Sequence, residues 1–356
     1  MKTPSDPPPP LDGEMIGRRR ALAGLATAAL PALWSCGGGS PAPSPVPPPP
    51  PPPPPPSSTS QWLLWGATNP SNGVVSLYKI RTDGSGFTQL SDGKMTYGAP
   101  EWSGDGGRVV FTGPDGRIWI ANGDGAQPAA LFTGSDASIS YDGSLVALTQ
   151  LTVVGSAPTS ETLRSLLVGS SDGSSLSAVA FPAPPPSPPA GGAFVAIDWA
   201  VRPSFSRDAK SIAYAVVYAV DKTNPDGSIG VDSDTLTFVL GSNSGIGALA
   251  TYPASNFTAF NRPRVSPDGS TVTFFDGGQA HLVAWSAANG VRTLYSVPTP
   301  TPYQASHVWS PDGTQIALSA YGHFEIVSST GSLLAAVPLP LAASEQALLG
   351  GWVTGP

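Results

Sequence analysis

Few side chains in this 356-residue sequence are of kinds that do chemistry, and their spacing limits what they can do. One Gly-x-Ser-x-Gly match occurs, Gly169-Ser170-Ser171-Asp172-Gly173. A nucleophile elbow needs a strand that turns sharply into a helix, whereas this segment reads as a strand end meeting an Asp-Gly turn, so no serine nucleophile is expected there. The three histidines, His281, His307 and His323, stand far apart beside apolar strand residues and lack zinc-ligand spacing. Oxygen ligands crowd one insertion, where Asp221, Asn224, Asp226, Asp232 and Asp234 make calcium the metal to consider. Taking Gly227 as the turn glycine of an EF-hand loop puts Lys222 at the first ligand position, so the segment reads first as a solvated hairpin tip and no cofactor is expected.

The remaining reactive group is Cys36, the single cysteine, so no intramolecular disulfide can form. What precedes it looks like an export signal, because Arg18-Arg19-Arg20 is followed by an apolar stretch from Ala21 to Leu33. Those 13 residues rise only about 20 Å as a helix, short of the roughly 30 Å hydrocarbon core. The stretch ends in Leu33-Trp34-Ser35-Cys36, which resembles a bacterial lipobox, and that resemblance implies acylation of Cys36 and a membrane anchor. Residues 1–36 are thus read as a signal peptide with a lipobox-like end and residues 37–60 as a Gly/Pro-rich tether. The tether includes an unbroken proline run from Pro47 to Pro56. Locked in φ and without N–H donors, such a run forms a polyproline II rod of about 30 Å.

From Gln61 onward a short pattern recurs: Pro-x, with Ala137 and His307 in place of Pro in two copies, an apolar anchor, then Ser-x-Asp-Gly, then an apolar strand. Its copies are Trp102-Ser103-Gly104-Asp105-Gly106, Ile139-Ser140-Tyr141-Asp142-Gly143, Phe205-Ser206-Arg207-Asp208-Ala209, Val265-Ser266-Pro267-Asp268-Gly269 and Trp309-Ser310-Pro311-Asp312-Gly313. Asp supplies a turn acceptor and Gly the left-handed position of a tight hairpin, so each copy joins two antiparallel strands. The following strands are expected at Arg108 to Thr112, Leu145 to Thr149, Ser211 to Val216, Thr271 to Phe275 and Gln315 to Ser319. Anchor spacings of 37, 66, 60 and 44 residues leave room for four strands per repeat, the long intervals being stretched by a Pro-rich insertion at Pro182 to Gly192 and a polar one at Asp221 to Asp234. Trp352 is a sixth anchor 43 residues after Trp309, and its missing strands are found at Gln61 to Trp65, Val75 to Ile80 and Phe87 to Leu90. The expected fold for residues 61–356 is therefore all-β, a six-bladed β-propeller of four-stranded antiparallel blades, closed by N- and C-terminal strands in one blade.

Residues just before each inner strand should ring one mouth of the central channel. Glu101, Arg202, Arg262, Arg264, Tyr303 and His307 fall there, and in a chain with 17 Lys and Arg the three arginines could form an anion-binding patch or satisfy local carbonyls. Net charge is −7; removing residues 1–35 takes four cations and three anions and leaves −8. No basic stripe is present, which argues against nucleic acid as a partner.

The segments Trp309-Ser310-Pro311-Asp312-Gly313 and Leu77 to Leu90 resemble the TolB-type propeller repeat, and the resemblance covers nearly all of residues 61–356. It implies an extracytoplasmic propeller engaged in protein contacts at the cell envelope. TolB carries a separate N-terminal α/β domain with no counterpart read here, so the likeness is one of propeller to propeller. Similar propellers precede the hydrolase domain of prolyl oligopeptidase relatives, and no such domain is read after Trp352. The expectation is a monomeric, non-enzymatic protein, a membrane-anchored lipoprotein facing the periplasm or one secreted into it, that binds an envelope protein or a peptidoglycan-associated partner. The rival is a lyase or hydrolase acting on a small molecule or glycan at the channel mouth, with calcium.

Overall fold

The structure, a computed structural model, describes residues 60–69, 74–91, 95–96, 100–113, 115–154, 161–179, 193–223, 229–242, 245–253, 262–276, 281–298, 306–320, 322–340 and 346–355. For residues 95–96, 152–154, 161–164, 193–202, 215–223, 229–242, 245–253, 276 and 346 it describes the backbone alone. The chain divides into units Met1–Pro54 and Pro55–Pro356, and every described residue lies in the second. Cys36, the signal-like segment, the proline run and the Pro182 to Gly192 insertion lie outside the described residues.

Each Ser-x-Asp-Gly copy folds into the same small device. In the first, Ser103 Oγ donates to Asp105 Oδ1 (2.7 Å) and accepts the N–H of Arg108 (3.0 Å), while Asp105 Oδ1 also accepts the N–H of Gly107 (2.8 Å). The backbone closes the turn with Gly106 N–H to Ser103 O and Ser103 N–H to Arg108 O. The same bonds recur around Ser140, Ser206, Ser266 and Ser310. The fourth turn position needs a left-handed backbone, at φ 72, 72, 74 and 73° in Gly106, Gly143, Gly269 and Gly313, and Ala209 is forced into it at φ 57°.

These turns organise the strands into six antiparallel sheets, five of four strands and one of five, with no helix among the described residues. Blade 1 pairs Gln346–Thr354 with Gln61–Thr68, then Val74–Arg81 and Thr88–Gln89, and Met95–Thr96 also pairs with Val74 and Val75. Blade 2 is Glu101–Trp102, Arg108–Thr112, Arg117–Asn122 and Ala129–Thr133; blade 3 is Ser135–Ile139, Leu145–Val154, Glu161–Ser170 and Leu176–Val179. Blade 4 is Ala193–Phe205, Ser211–Thr223, Ile229–Ser242 and Gly245–Pro253. Blade 5 is Arg264–Val265, Val272–Asp276, His281–Ser286 and Gly290–Ser296, and blade 6 is His307–Trp309, Gln315–Ala320, His323–Ser328 and Leu333–Pro338. The first strand of each blade touches that of the next, and blade 6 touches Gln346–Thr354, so the ring closes.

The apolar clusters lie between blades, which is why the strands are apolar on both faces. Alternation in Gln61–Thr68 shows this: Leu63, Trp65 and Ala67 pack on Val308, Phe324 and Ile326 of blade 6, while Trp62 and Leu64 pack on Trp102 and Val109 of blade 2. Two expectations shift. The second strand of blade 4 runs on past Val216 to Thr223 and pairs with Ile229–Ser242, because the alternating Val, Tyr and Thr continue the β pattern into what reads as a polar insertion. The expected strand from Phe87 to Leu90 is reduced to Thr88–Gln89, since Gly84 and Gly86 at φ 84° and 68° hold the chain in a turn beforehand.

Candidate functional site

Residues at the starts of the inner strands of opposite blades meet across the ring. Glu101 of blade 2 is 3% exposed and reaches Arg262 and Arg264 of blade 5, the blade opposite in a ring of six. Both guanidinium groups bind Glu101 Oε1, and Ser138 Oγ of blade 3 donates to Oε2 at 3.1 Å. Burial works against the Glu101 charge, but Arg262 and then Arg264 hold its carboxyl below the ordinary carboxylate range. Burial pulls the Arg264 guanidinium down from its ordinary value, with Glu101 opposing; a guanidinium stays charged regardless. Arg264 Nε donates to the carbonyl of His307 (3.1 Å), tying the cluster to blade 6.

His307 is 2% exposed, its Nε2 lies 2.9 Å from Thr273 Oγ1, and its ring meets Phe275 edge-on at 5.3 Å. Burial first, and the Arg264 charge next, push it down to about 3, so the imidazole is neutral. Trp309 Nε1 donates to the same Thr273 hydroxyl at 3.0 Å.

This cluster adjoins a cavity of about 120 Å³ to which every blade contributes, Trp352, Glu101, Ile139, Phe205, Arg264 and Trp309 in blade order. The indole N–H groups of Trp102, Trp309 and Trp352 are all bonded within the fold, to Gly123 O, Thr273 Oγ1 and Gln61 Oε1, so they bring apolar ring faces to the cavity. At the mouth on the far side, where the inner strands end, stand residues from the x position of the Ser-x-Asp-Gly turns. Tyr141 lies against Gly104, where a Cβ would sit 2.0 Å from the ring, so only glycine allows this approach. Over the ring of Tyr141, at 4.4 Å from its centroid, lies the Arg207 guanidinium, which also donates to the carbonyl of Pro311.

Of the channel residues singled out by position, Glu101, Arg262, Arg264 and His307 are thus brought together, Arg264 partly buried and the other three buried rather than exposed at a mouth. The Arg202 side chain and Tyr303 lie outside the described residues, as do Asn224, Asp226 and the side chains of Asp221, Asp232 and Asp234. Of that acidic set, Asp221, Asp232 and Asp234 sit on the long blade 4 hairpin, with Asp232 opposite Val220. His281 bonds Ser296 and His323 faces Glu325, each in a different place from His307. Ser170 ends the third strand of blade 3 in a hairpin turn, with Gly173 N–H on its carbonyl. Sequence reading missed Ser138, Thr273, Tyr141 and Arg207; the last two had a signal, the variable slot in an otherwise constant turn.

No protein-family model matches this chain, and no curated protein matches it significantly. Solved structures do. TolB from Acinetobacter baumannii is similar at a TM-score of 0.51 and 14% identity, over 82% of this chain and 66% of that one, so the chain spans just under two thirds of that protein. A nidogen/laminin complex gives 0.49 at 10% identity, over 82% and 97%. The periplasmic gluconolactonase of Pseudomonas aeruginosa gives 0.43 at 13%, over 82% and 100%. At such identities the likeness is one of fold: the domain is a TolB-like propeller.

Proposed function

We propose that this TolB-like propeller is an exported protein of the cell envelope that binds a partner and turns over no substrate. The observation that carries the reading is the state of Glu101. Both its oxygens are engaged, one by Arg262 and Arg264 and the other by Ser138, so the carboxylate acts as a tie between opposite blades. A general base needs a free acceptor within reach of a substrate proton. His307 Nε2 is likewise bonded to Thr273 Oγ1. Export and tethering rest on the Arg18 to Cys36 segment and on the proline run that would hold the domain away from a membrane.

The test is a pair of measurements on the full chain. Clickable palmitate should label the wild type and not Cys36→Ala, and affinity capture from solubilised envelopes should retain a defined component. Capture of nothing, together with turnover of a glycan or small-molecule substrate that Arg262→Ala abolishes, would replace the binder with an enzyme.

A further inference from the structure

Arg207 sits differently from the equivalent residue in every other repeat. The x positions of the other four turns hold Gly104, Tyr141, Pro267 and Pro311, none of which carries a charge. Arg207, on blade 4, passes over Tyr141 of blade 3 and donates to Pro311 O of blade 6, two blades from its own. Its side chain is exposed, so it could extend into solvent at little cost, yet it lies down over the cavity. The place it occupies is constructed: the ring face of Tyr141 is fixed by contact with Gly104, and a carbonyl acceptor stands opposite. Around it, the five inner turns carry the exposed Asp105, Asp142, Asp208, Asp268 and Asp312, against the cations Arg207, Lys210 and Arg108, the last of which reaches Gly143 O of the neighbouring turn. The turns that form the rim therefore carry net negative charge, although the aspartates do not line the cavity itself, whose walls are mostly apolar with Glu101 and Arg264 among them.

We infer that the mouth of the channel is a guanidinium-binding site, filled by Arg207 in the free protein and by an arginine of a basic partner segment in the complex. The inference rests on the binding role proposed above and names the chemistry of the partner. A planar guanidinium stacks on an aromatic face and hydrogen-bonds in its own plane, which suits the Tyr141 ring and Pro311 carbonyl better than a compact ammonium. The acidic rim draws a basic segment in and disfavours an acidic one. The resident Arg207 then acts as an internal competitor, so its removal should strengthen binding.

Two labelled eight-residue peptides of equal net charge, one with a central arginine and one with lysine in its place, would be titrated against the full-length protein by fluorescence anisotropy. Arg207→Ala should bind the arginine peptide about tenfold more tightly than the wild type, and should prefer it severalfold over the lysine peptide. In the Arg207→Ala background, Tyr141→Phe should keep that affinity and Tyr141→Leu should lose it, with thermal melts confirming that both fold. Equal binding by wild type and Arg207→Ala, or no preference for arginine over lysine, overturns the inference. If envelope capture still succeeds in that case, the binding role stands and only the guanidinium site falls. If capture fails while the arginine preference holds, the reverse is true.

Discussion

At the scale of single residues, the two positions that break the pattern of their neighbours are the most informative. His307 stands at the start of the blade 6 inner strand, buried beside Arg264 and Arg262, and its imidazole is held neutral down to about pH 3. An unfolded chain takes up a proton there near pH 6.5. The unfolded state therefore binds more protons between these values, and stability present above pH 6.5 is lost as pH falls toward 3, by up to about 1.4 kcal/mol per pH unit from this one group. Urea unfolding at pH 7, 5.5 and 4.5 should show that slope, and His307→Gln should flatten it; an unchanged slope would place the acid sensitivity elsewhere. Ala209 is the other case, a β-carbon in a turn position that four of five repeats give to glycine, at φ 57°. Ala209→Gly should raise stability by about 1 kcal/mol, since relief of left-handed strain outweighs the added freedom of the unfolded chain. Gly313→Ala should lower it by a similar amount, and melting temperatures of the two variants, moved in opposite directions, are the check.

At the scale of the element, the Ser-x-Asp-Gly turn explains both what the sequence makes legible and what it hides. The buried serine links the aspartate to the first N–H of the next strand, so a single side chain fixes turn and register together. Ser103→Ala leaves the Arg108 amide and one Asp105 oxygen without that partner and should cost about 1–3 kcal/mol in chemical denaturation. Ser103 is the foremost cause of the depressed Asp105 carboxyl, with the Gly107 N–H next. The stability this contributes is present above the ordinary aspartate value, near pH 4, and is lost as pH falls through the lower folded value, so Ser103→Ala should also shrink the acid limb below pH 4. Because these interactions are local, spanning five residues, the turn and hence the blade framework can be read from sequence. The Glu101 to Arg262 contact spans 161 residues and joins opposite blades, and no local pattern encodes it. Reading could place both at the starts of inner strands, and only the ring closure shows that they meet. Blade 4 was misjudged for a related reason: polar residues at Asp221 and Asp232 look like a loop until their strand partners are known.

At the scale of the whole molecule, two of the long-range ties that hold the ring are the Glu101 cluster between opposite blades and the pairing of Gln346–Thr354 with Gln61–Thr68 in blade 1. The second decides whether there is a ring at all. Gln346–Thr354 is the inner strand of blade 1, in register with Gln61–Thr68 from Gln61 opposite Thr354 to Thr68 opposite Gln346, with one irregularity at Leu64 and Trp65. It buries Leu348, Leu349, Trp352 and Val353, each below 8% exposed. At roughly 1.5–3 kcal/mol per large apolar side chain, these four contribute about 6–12 kcal/mol, comparable with the 5–15 kcal/mol net stability of an ordinary domain. Its removal would also uncover Leu63, Trp65 and an unpaired strand edge, a template for association with other chains. A protein ending at residue 345 should therefore fail to give a cooperative melt and should aggregate, and a synthetic peptide of residues 346–354 in excess should restore the transition. A truncated protein that melts as the full chain does would mean that the interfaces between the other five blades suffice, and that the pairing of the two chain ends closes the ring without stabilising it.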